Sequence, residues 1–156
     1  MLDRIARGIL LKLLREQSAL VRLGAEENIA IPSDSEETIE LEILQSHGQQ
    51  FLNINEGVIT LLESGLYKIV ILFVWENNDG GTIRIASIAK NNQSFLEKMR
   101  VPLSGVTTNL ILYCASIFLE ASDELEIIVG QDSGDSLDLI FEEDLSESYV
   151  LIQKLS

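Results

Sequence analysis

Leu66-Tyr-Lys-Ile-Val-Ile-Leu-Phe-Val-Trp75 decides the fold. The run holds no glycine or proline and is rich in β-branched and aromatic residues, which fit the pleated surface of a strand. Its period of two puts Tyr67, Ile69, Ile71, Phe73 and Trp75 on one face. The other face carries Leu66, Val70, Leu72 and Val74, with Lys68 the one polar member. Asn77-Asn-Asp-Gly-Gly81 follows directly, built from residues that tolerate positive φ. That spacing predicts a hairpin whose return strand is Thr82–Lys90.

The same reading extends along the chain. Thr38–Ile43 alternates, with Ile39, Leu41 and Ile43 pointing one way. Phe51–Ile54 and Val58–Leu62 flank a turn at Asn55–Gly57, and further strands read at Thr107–Leu119, Glu124–Val129, Leu137–Phe141 and Tyr149–Leu155. Many short strands punctuated by turn residues, with no helical pattern between them, predict an all-β jelly-roll sandwich of about ten antiparallel strands. Asn109–Leu119 is again apolar on both faces: Ile111, Tyr113, Ala115, Ile117 and Leu119 oppose Leu110, Leu112, Cys114 and Phe118. A sandwich strand normally shows water a polar face. Two doubly apolar strands therefore require a cover, either a second copy of the chain or its own N-terminal segment.

That segment is predicted to be a short amphipathic helix. Leu2, Ala6, Ile9, Leu13, Leu20 and Leu23 recur at helical spacing, flanked by Arg4, Arg7, Lys12, Arg15 and Arg22, and Gly24 is a plausible stop. A lone helix cannot bury its own stripe, so residues 1–24 read as an anchoring arm, with Arg4, Ile5, Ile9, Leu13 and Arg15 its docking side chains and the jelly roll itself, a copy of the same helix, another protein or a membrane surface as its partner. Residues 25–37, with Pro32 and Ser33-Asp-Ser35, read as a linker, and 38–156 as the jelly roll.

Charge is segregated. The net charge is −14, yet residues 1–24 carry five basic and two acidic groups. An acidic body repels phosphates, which excludes nucleic acid as its partner. No stretch is long and apolar enough to span a bilayer, and Lys12 breaks the only apolar run resembling a signal peptide. Cys114 is the single cysteine and sits in an apolar run, so it reads as a small buried hydrophobe and no disulfide within the chain is possible. One histidine, His47, does not support a multi-histidine metal centre. No nucleophile elbow, phosphate loop or dinucleotide fingerprint is present, so the expectation is a protein without catalysis or cofactor. Asp132, Asp135 and Asp138 are spaced by three, unlike a calcium loop, and read as a solvated turn.

The order of features resembles the tumour necrosis factor superfamily and the globular heads of the first complement component. Phe51, Gly57 and Ser64-Gly-Leu-Tyr67 open the long strand. A late apolar strand ends at Phe118-Leu119, and Tyr149-Val-Leu-Ile152 closes the domain. Ser122-Asp-Glu124 stands where those folds have a Gly-Asp turn. The resemblance implies a compact homotrimer, with Tyr67, Phe73, Trp75, Tyr113, Phe118 and Tyr149 as its interface or core aromatics. Compact trimers preceded by a short arm also resemble virion proteins of tailed bacteriophages. The expected role is therefore a capsid decoration (cement) or other virion surface protein, held through its arm to another virion or surface protein. The alternative is a ligand- or receptor-binding module, as a fibre tip or an adhesin of a bacterial or spore surface.

If the aspartates of 132–138 hold no calcium, EDTA should leave the melting temperature unchanged, because a ligand stabilises only by what it binds. A shift of several degrees that disappears in Asp135→Asn would contradict this.

Overall fold

A computed structural model describes residues 19–102, 109–141 and 148–156. Its strands are β1 (Ala19–Gly24), β2 (Ile29–Ile31), β3 (Ser35–Thr38), β4 (Glu42–His47), β5 (Leu52–Asn55), β6 (Val58–Leu61) and β7 (Gly65–Val74). They continue with β8 (Ile83–Lys90), β9 (Ser94–Pro102), β10 (Asn109–Leu119), β11 (Glu124–Gln131), β12 (Leu137–Leu139) and β13 (Tyr149–Lys154). A front sheet has the order β10-β7-β13-β1-β4 and a back sheet the order β5-β6-β11-β8-β9. Strand β3 continues the line of β6 along one edge of β11, and β2 pairs with β12. All pairings are antiparallel, and the fold is the all-β jelly roll that the alternation predicts. The described residues include no helix.

The core lies between the sheets. Val21, Leu23, Ile69, Ile71, Val150 and Ile152 enter it from the front, and Ile59, Leu61, Ala86, Ile88, Ile127 and Val129 from the back. Strands β7 and β13 bury alternate residues, and each large aliphatic group taken out of water contributes about 1.5–3 kcal/mol. Gly65 is where β7 begins because nothing larger fits: a Cβ there would lie 2.0 Å from the Ser156 carbonyl oxygen. Tyr67, two residues on, is buried and donates from its hydroxyl to the Glu63 carbonyl at 2.6 Å. Burial first, and the Glu63 charge second, push the Tyr67 phenol up to about 12.

Three expectations need correction. The predicted helix over 1–24 ends in strand: Ala19–Gly24 is β1, held between β13 and β4 in the front sheet. Val21 and Leu23 alternate with Leu20 and Arg22, so this stretch satisfies a period of two as well as a helical one, and two flanking strands supply hydrogen bonds that no helix end could. The jelly roll thus takes in residues from Ala19 onward, the expected linker contains β2 and most of β3, and the single strand expected at 38–43 is split between β3 and β4. The remainder of the predicted helix, residues 1–18, lies outside the described residues. Second, 77–81 is not a hairpin turn: it carries the chain from β7 in the front sheet to β8 in the back sheet. Third, β9 was not expected, because Ser94-Phe-Leu-Glu-Lys-Met-Arg-Val-Pro102 shows no clean alternation.

Each end of the sandwich is fastened by one aspartate. At the crossing turn, the Asp132 carboxylate accepts from the Thr82 amide (2.7 Å), the Thr82 hydroxyl (2.5 Å) and the Ile83 amide (2.8 Å). Arg84 lies 3.8 Å away, fully buried, and donates to the Gly80 and Ile83 carbonyls. Gly81 has φ +77°, with Asp132 backbone close behind it. At the opposite end, Asp123 is buried and takes Lys90 at 2.7 Å, Asn91 at 2.9 Å and the Glu120 amide at 2.8 Å. Burial alone would raise both carboxyls. For Asp123, the Lys90, Glu120 and Asn91 hydrogen bonds and the Lys90 charge outweigh it. For Asp132, the Thr82 and Ile83 hydrogen bonds and the Arg84 charge do the same, so both lie below the usual carboxylate value. Ser122 has φ +74°, the left-handed conformation for which the related folds are expected to use glycine.

Depressed folded pKa values mean that this stabilisation is complete above the unfolded carboxylate range, near about pH 4, and fades as pH falls through the folded values. Asp123→Asn should cost about 1–3 kcal/mol at neutral pH and flatten the acid limb of the stability profile. An unchanged limb in urea melts taken from pH 7 to pH 3 would contradict it. Ser122→Gly should raise stability by about 0.5–1 kcal/mol, since relief of a left-handed serine exceeds the added flexibility of the unfolded chain. A loss of stability in the same melts would overturn that assignment.

Candidate functional site

One face of the front sheet is committed to the core, and its outer face stands opposite. Register defines its rows. Val70 stands opposite Leu151, Leu151 opposite Arg22, and Arg22 opposite Gln45. In the next row Lys68, Gln153, Leu20 and His47 follow in the same way. Leu72 pairs with Tyr149 above, and Leu66 with Phe118 below. The rows through Val70 and Leu72 are therefore mainly aliphatic and aromatic, with Arg22 and Gln45 toward β4, while the next row carries Lys68 and Gln153 across the middle of the face.

Exposure marks this surface as uncovered among the described residues. Phe118 is 59 % exposed, Leu66 39 % and Leu20 36 %, while Val70, Leu72, Tyr149 and Leu151 are half-buried. Phe118 is turned out by a bulge: register shifts between Cys114 and Ile117, and Ser116 sits at φ +55°. The Arg22 guanidinium carbon lies 5.4 Å from the centre of the Tyr149 ring, diagonally across β1 and β13. Leu20, Arg22, Gln45, His47 and Leu151 border a shallow depression of about 330 Å³. It is open, and its lining includes no carboxylate.

The aromatics singled out in the sequence divide between the two sides. Tyr67 and Phe73 are fully buried and Trp75 is 1 % exposed, all inside one chain, so they are core residues and cannot meet a second copy. Phe118 and Tyr149 lie on the outer side. The Tyr113 backbone pairs with Val70, but its side chain lies outside the described residues, as do Arg4, Ile5, Ile9, Leu13 and Arg15. Sequence reasoning passed over Leu20, Arg22 and Leu151. Leu20 and Arg22 were assigned to a helix, and Leu151 alternates with buried Val150 and Ile152, which was a usable signal. No group of three or more metal-ligating side chains is assembled among the described residues. Asp132 is engaged with the crossing turn, and the Asp135 and Asp138 backbones are used in local turns and pairing. No helix of the described residues is long and apolar enough to cross a membrane.

No family model matches the chain, and no curated protein matches it. Solved structures do. Murine APRIL superimposes with a TM-score of 0.67 over 88 % of this chain and 99 % of its own, at 10 % identity. Eiger TNF from S. frugiperda gives 0.63 over 89 % and 92 %, at 14 % identity. The PRD1 vertex protein P5 gives 0.55 over 90 % and 98 %, at 18 % identity. The chain has a tumour-necrosis-factor-like jelly-roll fold.

Arg22→Ala should remove the Tyr149 contact and cost about 0.5–1 kcal/mol, as for a cation over an accessible ring. A loss above about 3 kcal/mol in chemical denaturation would place Arg22 in a buried network instead.

Proposed function

We propose that this protein is a non-enzymatic homotrimer that serves as a virion surface component, a capsid decoration (cement) protein or its equivalent, held on its particle through the N-terminal segment. The observation that carries the reading is the outer face of the front sheet. Val70, Leu72 and Leu151, with Leu66 and Phe118 beyond Lys68, give β7, β13 and β10 a largely apolar outer face over a β7 that is already apolar inside. Such a surface is covered in the working state of a protein. A closed symmetric assembly covers it on every copy at once, whereas a single partner would leave the remaining copies exposed.

Several further features support a structural role. The described carboxylates with depressed pKa, Asp123 and Asp132, are spent on fastening loops. One solved structure with this fold is a vertex protein, P5 of PRD1. With residues 19–24 belonging to β1, the anchoring segment reduces to residues 1–18, which keep four basic and two acidic groups.

Sedimentation equilibrium at micromolar concentration should return three times the 17.4 kDa chain mass. A stable monomer under those conditions would remove the trimer and the reading built on it.

A further inference from the structure

Asp34, Asp79, Asp132 and Asp135 are each followed by serine or glycine, small residues that leave the next backbone nitrogen open to the aspartate carboxyl. Their surroundings separate them. The Asp34 carboxylate accepts the Ser33 hydroxyl at 2.9 Å, and Ser35 is paired with Gln131 in β3. The Asp132 carboxylate is taken by Thr82 and Ile83, and the Ser133 amide donates to Gln131 Oε1 at 2.7 Å. The Asp135 carbonyl accepts from Gln131 Nε2 at 2.7 Å and from the Ser133 hydroxyl at 2.9 Å, so the peptide leading to Ser136 is held. Asp79 differs. It is exposed, and its carboxylate takes no hydrogen bond or ion pair among the described residues. Its peptide to Gly80 lies in the turn between β7 and β8, outside any ladder. Among the described residues that peptide is held through one contact, the Gly80 amide donating to Asn78 Oδ1 at 2.6 Å. No other aspartate in the chain precedes a glycine.

We infer that Asp79-Gly80 is a site of self-modification, where aspartate converts to isoaspartate and the change unfastens this end of the sandwich. The Gly80 nitrogen attacks Cγ of the Asp79 carboxylic acid. An N–C bond forms, the C–OH bond breaks, and the hydroxyl leaves with the amide proton as water. The succinimide so formed takes water back. Addition at Cγ restores aspartate. Addition at the backbone carbonyl breaks its bond to the Gly80 nitrogen, so the main chain now runs through Cβ and Cγ and the released α-carboxylate becomes the side group. Mass and charge are unchanged, but the main chain is one carbon longer. The Gly80 side has no slack to absorb it. A Cβ on Gly80 would lie 2.7 Å from the Ser133 carbonyl oxygen, and Gly81 is held at φ +77° against the Asp132 backbone. The Gly80 carbonyl also accepts from Arg84 at 3.2 Å. Arg84 is fully buried, its Nε has no hydrogen-bond partner, and its other acceptor is the Ile83 carbonyl. Displacing Gly80 therefore takes one of two carbonyls from a buried cation, which destabilises the turn. Nothing in this chemistry depends on the trimer.

The test ages full-length protein for weeks at neutral pH and body temperature. Peptides from it are read by electron-transfer fragmentation, which tells isoaspartate from aspartate at equal mass. Isoaspartate should build up at position 79 before any forms at 34, 132 or 135. As it does, the melting temperature should fall by several degrees. The emission of Trp75, the single tryptophan of the chain, should change with it, because the Arg84 guanidinium carbon lies 5.9 Å from the centre of its ring. Asp79→Glu keeps the charge but sets the carboxyl one methylene farther out, so that variant, aged alongside, should keep both its melting temperature and its emission. Isoaspartate appearing first at another position, or none at 79 after weeks, would overturn the inference. So would an isomerised protein with unchanged melting and emission, or an Asp79→Glu sample that declines equally.

Discussion

A β-strand cannot fill one side of itself without populating the other, and in this protein that constraint acts most strongly on β7. Tyr67, Ile69, Ile71 and Phe73 enter the core at alternate positions and are completely buried there. The pleat then fixes Leu66, Lys68, Val70 and Leu72 on the opposite side. A slip of one residue would exchange the two sets and turn Tyr67 away from the Phe51 ring, whose centre lies 5.8 Å from its own in the interior. Register is therefore fixed by the core, and the apolar outer face is its consequence. Strands β13 and β1 extend that face through Tyr149, Leu151 and Leu20.

The loops follow from the same arrangement. A chain that must pass from β7 in one sheet to β8 in the other makes a wide turn whose amides point away from any ladder. Asp132 accepts two of those amides and the Thr82 hydroxyl, and Arg84 binds the Gly80 carbonyl from beneath. Asp123 does the same work at the other end, joining Lys90-Asn91 to the turn before β11. Acidic residues thus have two separate uses here: fastening loops and keeping the body anionic.

Much of this was legible in the sequence where one physical signal dominated. The β7 segment read correctly because ten residues, all but Lys68 β-branched, aromatic or aliphatic, run without a breaker. Strands β11 and β13 are likewise unbroken apolar-rich runs, whereas β8 was expected as the return of a hairpin that does not form. Ala19–Gly24 misread because Leu20 and Leu23 also fit a helical stripe, and only the vacancy between β13 and β4 decides between the two periods. The crossing turn misread because Asn, Asp and Gly report positive φ, not which sheet receives the next strand. Ser122 shows the reverse case: the turn geometry was expected, the glycine was missing, and serine takes the left-handed conformation at a cost. Of the six aromatics expected at an interface or core, Tyr67, Phe73 and Trp75 proved internal, because alternation gives two faces without saying which one is the inside. The outer surface needed register between non-adjacent segments, above all Leu151 against Val70 and Arg22, and no local pattern contains that.

If copies of this chain cover one another's front sheets, charge placed in the middle of that face must separate them without disturbing the core. The direct measurement is the solution mass of the Val70→Lys, Leu151→Lys variant, taken with its thermal transition. The account predicts a monomer that still melts cooperatively, because both positions point away from the interior. A variant that keeps the solution mass of the wild type would show that this face is not where copies meet.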